Sequence, residues 1–170
     1  MDTYLAIASR REVRNYAPRP LDPALERRIL EAGRVTGSSR NRQAWRFDVA
    51  RSDDARARLT AAVYAPENVE GAALVVVIVV FGKGPTAFDA GRAAQAMLLA
   101  AWNEGVGGCP NGVADADAVA ALLGLGEDER VAIVLTFGVP ARPADPGRRT
   151  PQEWIARADR KPYDEVVREV

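Results

Sequence analysis

Two long, predominantly apolar runs interrupt an otherwise mixed pattern of polar and apolar residues. AALVVVIVVF covers residues 72–81, and RVAIVLTFGVP covers residues 130–140. Runs of this length that are rich in Val and Ile and do not alternate are typical of strands covered on both faces. Residues 45–51, WRFDVAR, alternate instead, which predicts a strand that is half exposed to solvent. The pattern therefore predicts a sheet in which residues 72–81 form a central strand and residues 130–140 a second buried strand.

Helix-like spacing dominates the rest of the chain. Asp22 followed by Pro23 is a favourable N-cap and first position for a helix that we expect to end at Gly37. Further helices are predicted at residues 3–11, 52–65, 88–106 and 115–126, and as two short pieces around Pro162 within 151–170. The helices and strands mix without strict βαβ alternation, and we find no repeat and no interdomain linker. We therefore expect one α+β layered domain over residues 1–170.

Composition and charge exclude several classes of protein. The chain has 170 residues, of which 48% are hydrophobic and 27% charged, enough for a soluble globular domain with its own core. The 23 basic residues balance 23 acidic ones, which argues against a general nucleic-acid-binding surface but not against one local anion site. The longest apolar run is about half of the ~20 residues that span a bilayer, and the N-terminus does not resemble a signal peptide. We expect a cytoplasmic protein without membrane or nucleic-acid partners.

The absence of histidine removes further chemistries. No Ser-His or Cys-His nucleophile can form, and no zinc site built on imidazole is available. The single cysteine, Cys109, excludes an intramolecular disulfide, and we predict no metal site. If the chain is an enzyme, we expect a cofactor to supply the chemistry while the protein positions it.

A basic cluster lies near the start of the chain, in SRREVRNY at residues 9–16. Arg10, Arg11 and Arg14 fall within five positions. Guanidinium groups match phosphate oxygens bidentately, which favours an anion site. The alternative is a solvated helix end, where cations suit the helix dipole. The residues alone leave both interpretations open.

Two polar or glycine-rich segments are further candidates for ligand binding. SSRNRQAW, at residues 38–45, offers hydroxyls and amides that can bond sugar hydroxyls or the edge of a heterocycle; the alternative is a polar turn before a core tryptophan. NEGVGGCPNGV, at residues 103–113, carries four glycines, which expose backbone N–H groups to a planar ligand; the alternative is a simple helix-to-strand turn. Neither a GxGxxG fingerprint nor a P-loop is present.

These segments, followed along the chain by DAGRAAQAMLLAAWNEGVGG and DRKPYDEVV, resemble the nitroreductase family of FMN-dependent oxidoreductases. The resemblance covers nearly the whole chain, which is short for the family and lacks the helical excursion that many members insert after the 72–81 strand. It implies a nitroreductase-like α+β fold, with a central mixed or antiparallel sheet flanked by helices, in an intertwined homodimer whose flavin sites are shared.

The resemblance also implies roles for individual residues. Arg10 and Arg160 match the family's FMN phosphate ligands, and Arg11 and Lys161 lie next to them in sequence; Arg14 matches a basic residue near the flavin's pyrimidine edge, where negative charge develops on reduction. No catalytic side chain is implied. The remaining cofactor-binding residues fall into two groups: Ser38, Ser39, Asn41 and Gln43 from the partner subunit, and the backbone of Pro110, Asn111 and Gly112 near flavin N5.

Three departures from the family pattern accompany the resemblance. Glu12 stands where a small polar residue is usual, and a carboxylate beside a phosphate needs a neutralising cation such as Arg11. Ala44 replaces a proline before the tryptophan, and the turn at 109–112 is about one residue shorter than in some members. These departures predict weaker or rearranged FMN contacts.

The function implied is an FMN-dependent NAD(P)H oxidoreductase. It would reduce nitroaromatic, quinone or related electron-poor acceptors by ping-pong hydride transfer through flavin N5. One alternative is a flavin- or nucleotide-binding protein of the same fold without reductase activity, acting as a sensor or accessory. A basic nucleic-acid-binding module is a third interpretation, disfavoured by the zero net charge.

Overall fold

The computed structural model describes all residues, 1–170. Their contacts divide the chain into two compact units, of which the larger holds Glu12–Ala144. The smaller unit combines both ends of the chain, Met1–Arg11 and Asp145–Val170. Each unit is described by itself below, and the prediction of one domain over residues 1–170 stays a prediction.

One four-stranded sheet forms the centre of the larger unit. Its strands are β1 (Trp45–Val49), β2 (Leu74–Phe81), β3 (Gly107–Asn111) and β4 (Glu129–Gly138). They are arranged in the order β1-β2-β4-β3, and every neighbouring pair is antiparallel. The central position predicted for β2 is therefore confirmed, and so is the α+β class with an antiparallel sheet. Strand β4 is buried only over residues 134–138, so the prediction of a buried strand holds for its second half.

The apolar run of β2 faces two separate hydrophobic clusters. Leu74, Val76, Ile78 and Val80 pack into one cluster, while Val75, Val77 and Val79 pack into the other. All seven residues are buried, because successive side chains of a strand point to opposite faces and each face is covered. Burial on both faces explains why this strand shows no alternation in sequence.

The chain forms eight α-helices, the first, seventh and eighth of which belong to the smaller unit. They are α1 (Thr3–Ser9), α2 (Pro23–Arg34), α3 (Asp53–Ala62), α4 (Pro66–Glu70), α5 (Thr86–Asn103), α6 (Ala116–Leu123), α7 (Pro151–Ala156) and α8 (Tyr163–Val166). The predicted cap at Asp22 is present, since its side chain accepts a backbone N–H at the start of α2, and Ser52 caps α3 in the same way. None of the eight combines the length and apolar character that crossing a bilayer requires.

One helix ends earlier than the sequence predicts, and another was not predicted. Helix α2 ends at Arg34 and not at Gly37, because the N–H of Thr36 bonds to Gly33 O and its hydroxyl bonds to Ala32 O, closing the last turn early. Helix α4 was not predicted at all. It has only five residues, too few to show a helical period, and its one signal is a proline at the first position.

The glycine-rich segment forms an edge strand, β3, where the sequence predicted a turn. A Cβ at Gly107 would lie 2.5 Å from Val13 Cβ, and one at Gly108 would lie 2.8 Å from Leu98 Cδ2 and from Phe137 Cδ1. These two glycines therefore admit close packing by the protein's own side chains. This packing accounts for both glycines without a ligand, and the exposure of the segment's backbone N–H groups to a planar ligand stays a prediction.

The smaller unit pairs α1 with α7. Helix α7 starts with a capping box, in which the Thr150 hydroxyl accepts the N–H of Glu153 while the Glu153 carboxylate accepts the N–H of Thr150. Helix α8 follows Pro162, so the prediction of two short helical pieces around this proline is confirmed.

Candidate functional site

A cluster of cations joins the two ends of the chain within the smaller unit. Burial lowers the pKa of Arg11, and the positive charges of Arg160 and then Arg10 lower it further. Arg10 is half-buried, whereas Arg160 and its neighbour Lys161 are exposed. The Arg11 guanidinium is therefore near enough to Arg10 and to Arg160 to be repelled by both, and a bound anion would relieve that repulsion.

Arg11 has a structural task inside this cluster. Its Nη1 donates to Ala8 O at 2.7 Å and to Arg10 O at 2.8 Å, and its Nη2 donates to Trp154 O at 3.1 Å. These bonds tie the C-terminal end of α1 to α7. Most of the donors of this guanidinium are directed at main-chain carbonyls, unlike an arginine held ready for a ligand.

Trp154 organises further arginines that sequence reasoning did not single out. The guanidinium carbons of Arg11, Arg148 and Arg149 lie 5.5, 5.4 and 5.0 Å from the centre of its ring, and its Nε1 donates to Pro146 O at 2.9 Å. Nη1 of Arg149 is buried without a protein acceptor. The signal available in sequence was the pair of adjacent arginines just before a capped helix.

The polar loop at residues 38–43 is conformationally strained. Arg40, Asn41 and Gln43 have φ values of 53°, 54° and 50°, in the left-handed region that non-glycine residues rarely adopt. Conformations of this kind persist where the surroundings impose them, and they concentrate at functional sites. Asn41 and Gln43 are exposed, which leaves their amides accessible.

Backbone hydrogen bonds hold the strained loop in place. The N–H of Ser39 donates to Asp89 Oδ2 at 3.0 Å, and the N–H of Gln43 donates to Ser38 Oγ at 2.8 Å. Asp89 is 5% exposed and lies near the start of α5. The Ser38 hydroxyl thus already has a partner within the loop, while Asp89 is a loop-holding residue that sequence reasoning missed. Its only signal was an acidic residue near a helix start.

The segment predicted to face flavin N5 is split between the surface and the interior. Pro110 and Gly112 are exposed, but Asn111 is 3% exposed and its side chain bonds inside the larger unit. Any contact of Asn111 with a ligand would therefore use its main chain. Tyr64 lies beside Gly112: its N–H donates to Gly112 O at 3.1 Å, and 78% of Tyr64 is exposed. Sequence reasoning missed this exposed aromatic ring.

Arg14 is exposed next to the same edge strand. The N–H of Val13 donates to Gly108 O at 3.2 Å, which fastens this stretch of chain to the outer side of β3. The larger unit therefore brings Arg14 to the strand that carries Pro110 and Asn111. Its role at the flavin edge stays a prediction.

Comparison with known proteins identifies relatives of this chain by sequence and by fold. The model of the Nitroreductase family matches residues 7–83 and 84–139. A protein from Desulfovibrio desulfuricans, described as a nitroreductase and solved in complex with FMN, is 27% identical with a TM-score of 0.81, covering 100% of this chain and 98% of that one. The NADPH:FMN oxidoreductase from Vibrio harveyi, complexed with NAD+, is 25% identical with a TM-score of 0.81, covering 96% of this chain and 75% of that one.

A third structure supports the fold alone. The nitroreductase family protein from Clostridium difficile 630 is 21% identical, with a TM-score of 0.83 and coverage of 99% of this chain and 98% of that one. The four-stranded antiparallel sheet flanked by helices is thus shared with solved members at nearly full length. With the family model matching both segments between residues 7 and 139, the chain belongs to the nitroreductase family.

Proposed function

We propose that this protein is an FMN-dependent oxidoreductase that uses NAD(P)H to reduce nitroaromatic, quinone or related electron-poor acceptors. The observation that carries the proposal is the basic cluster drawn from both ends of the chain, in a family whose D. desulfuricans member was solved with FMN. Bound FMN would supply hydride transfer between the nicotinamide and the acceptor. The protein's task is then to bind, orient and shield, which suits a chain without histidine.

The arginines fit the phosphate of FMN. Arg10 and Arg160 would hold it by charge-assisted bonds, with Lys161 and Arg11 adding positive charge. Arg11 acts chiefly by fixing α1 against α7, because its donors are already directed at carbonyls. Arg14 would stabilise negative charge at the flavin's pyrimidine edge.

A homodimer with shared sites is part of the proposal. Ser38, Ser39, Asn41 and Gln43 of one subunit would serve the flavin of the other. An apolar surface on α5 next to this loop supports the proposal, since a groove of about 650 Å³ runs between Gly37 and Leu99 and Phe88 is 67% exposed. An exposed apolar surface of this kind is typical of an interface between chains. We also propose a cytoplasmic location.

The visible spectrum of the purified protein tests the proposal. We expect a yellow protein whose colour bleaches when NADH or NADPH is added without oxygen and returns when a quinone or nitroaromatic compound is added. A colourless protein that takes up no added FMN would overturn the proposal. The size of the purified species in solution tests the dimer separately.

A second candidate is a flavin-binding sensor or accessory protein without reductase activity. It is favoured by Glu12, whose carboxylate directly follows the two arginines proposed to attract a phosphate. Stable FMN uptake without oxidation of NADH or NADPH, whichever acceptor is supplied, would support this candidate over the oxidoreductase.

A further inference from the structure

Four buried polar side chains form a continuous hydrogen-bonded chain inside the larger unit. They are Tyr16, Asn68, Asn111 and Thr136, which are 7%, 2%, 3% and 0% exposed. Asn68 lies in α4, Asn111 in β3 and Thr136 in β4, while Tyr16 forms an isolated bridge with Pro140 beyond the end of β4. This network lies behind the edge-strand segment that we propose to face the flavin.

The direction of each bond in the network follows from counting protons. The Asn111 Nδ2 group can only donate, and it lies 3.1 Å from Thr136 Oγ1. Thr136 Oγ1 gives its own proton to Cys109 O at 3.2 Å. With the Thr136 proton on Cys109 O, Tyr16 Oη donates at its 3.0 Å contact with Thr136 Oγ1. Tyr16 Oη also lies 3.3 Å from Thr136 O, a second acceptor for the same proton. Burial is the main reason that the pKa of Tyr16 is raised, so this phenol keeps its proton at neutral pH.

The network converges on one peptide group, the one that joins Cys109 to Pro110. Cys109 O accepts both Thr136 Oγ1 and, at 3.0 Å, Asn111 Nδ2. The pyrrolidine ring fixes the φ angle of Pro110 itself. Two bonds to the carbonyl and a fixed φ together determine the direction of the main chain at Pro110 and at Asn111.

Asn68 completes the network from the other side. Its Nδ2 donates to Asn111 Oδ1 at 2.7 Å, while its own Oδ1 is buried without a hydrogen-bond partner. A buried unsatisfied oxygen is unfavourable, and an apolar side chain of the same size would avoid it. The Asn68 side chain therefore holds Asn111 in position through Nδ2, while its unsatisfied Oδ1 lowers the stability of the folded protein.

We propose that Thr136, Asn68 and the Asn111 side chain are positioning residues. They fix the peptide groups of Cys109–Gly112 and thereby set the distance and angle at which this backbone meets the flavin. The inference rests on the proposed function, because it assigns these residues to the same site. Tyr16 is hydrogen-bonded to Thr136 and not to Cys109 O. Removing the Tyr16 hydroxyl therefore leaves both hydrogen bonds to Cys109 O in place.

A matched set of variants separates positioning from stability. Thr136→Val removes the hydroxyl but keeps a branched side chain suited to a strand, Thr136→Ser restores the hydroxyl, and Tyr16→Phe removes one buried hydrogen bond elsewhere in the network. Asn68→Leu removes the donor to Asn111 together with the unsatisfied oxygen. Each variant is compared with the parent for FMN affinity of the apoprotein, visible spectrum of the bound flavin, thermal midpoint, and kcat and KM with NADPH.

We expect Thr136→Val and Asn68→Leu to shift the flavin spectrum and to lower kcat by about tenfold, because small misplacements at a reacting centre have effects of this order. KM for NADPH should stay within about twofold. Tyr16→Phe should lower the thermal midpoint while keeping the parent's spectrum and kcat, and Thr136→Ser should restore both. The proposal is overturned if Thr136→Val or, should that variant not fold, Asn68→Leu keeps the parent's spectrum and kcat. A parent that binds no FMN overturns the proposed function and this inference with it, so the two failures are distinguishable.

Discussion

The carboxylate of Asp89 holds the main chain of Ser39, with Oδ2 accepting the Ser39 N–H at 3.0 Å. Asp89 is almost fully buried near the start of α5, whereas Asn41 and Gln43 of the loop are exposed. Helix α5 therefore holds the main chain of the loop through Asp89 and leaves the amide side chains of Asn41 and Gln43 accessible. This division suits a loop that presents polar groups to a ligand.

Asp89→Ala should weaken FMN binding, because the N–H of Ser39 loses a charge-assisted partner and the strained loop loses its anchor. A hydrogen bond to a charged group contributes about 1.5–3 kcal/mol, and each 1.4 kcal/mol corresponds to about tenfold in affinity. We expect at least about tenfold weaker binding in a fluorescence titration of the apoprotein with FMN. Asp89→Asn keeps an acceptor oxygen and should retain most of the affinity. Equal affinity in Asp89→Ala and the parent would contradict the proposed role of the loop.

Removing either proposed phosphate ligand should release FMN. Arg10→Ala or Arg160→Ala deletes one charge-assisted contact of about 1.5–3 kcal/mol, which corresponds to roughly tenfold to a hundredfold in affinity. Arg168→Ala, an exposed residue of the same unit, gives the same change in net charge and should bind FMN like the parent. If Arg10→Ala and Arg160→Ala both bind FMN as tightly as the parent, the assignment of these two arginines to the phosphate is wrong.

Arg11→Lys should lower stability more than it lowers FMN affinity. A lysine ammonium keeps the positive charge but cannot reproduce the planar geometry that reaches Ala8 O, Arg10 O and Trp154 O together. We expect a loss of about 1–2 kcal/mol in the free energy of unfolding, measured with urea. A titration with FMN should show a smaller effect than Arg10→Ala produces. The reverse order of effects would assign Arg11 to the ligand.

The sequence was sufficient where a local pattern determines the structure. Burial on both faces makes β2 a continuous apolar run, and Asp22 with Pro23 marks the start of α2 by local chemistry alone. The order of the strands and the short helix α4 depend on tertiary packing and leave no such pattern.

The candidate site was predictable as residue types but not as geometry. The resemblance pointed to Asn111, yet nothing in the sequence shows that its side chain is turned into the interior. The contacts of Asp89 with Ser39 and of Trp154 with Arg149 join residues that are remote in sequence or lack a periodic signal. Glycine is ambiguous in sequence for a physical reason, because residues such as Gly107 and Gly108 allow close packing by side chains as readily as approach by a ligand.

Gly108→Ala should destabilise the larger unit. The added Cβ would lie 2.8 Å from Leu98 Cδ2 and from Phe137 Cδ1, and both of those side chains are buried. Overpacking of this kind costs about 1–3 kcal/mol, which urea unfolding would measure. Gly126→Ala is a suitable control because its Cβ would meet only Asp128 and Glu129 at 3.9 Å. An unchanged midpoint for Gly108→Ala would show that β3 moves freely, contrary to the packing described.

Tyr16 should make the stability of the protein sensitive to alkaline pH. Burial is the largest cause that raises its pKa in the folded state, and it outweighs the opposing effect of the hydrogen bond to Thr136. In the unfolded chain the phenol ionises at about pH 10. Because the folded state keeps the proton and the unfolded state loses it, the stabilisation by Tyr16 is complete below that pH and is lost as pH rises above it.

The Tyr16→Phe variant has no phenol hydroxyl that could ionise. At neutral pH we expect it to be about 1 kcal/mol less stable than the parent, because a buried hydrogen bond to Thr136 is gone. Above about pH 10 the difference should shrink, and at higher pH it should reverse in sign. Urea unfolding of the two proteins between about pH 7 and 11 measures this, and all other titrating groups are common to both. A difference in stability that stays constant across this range would show that Tyr16 titrates alike in the folded and unfolded states.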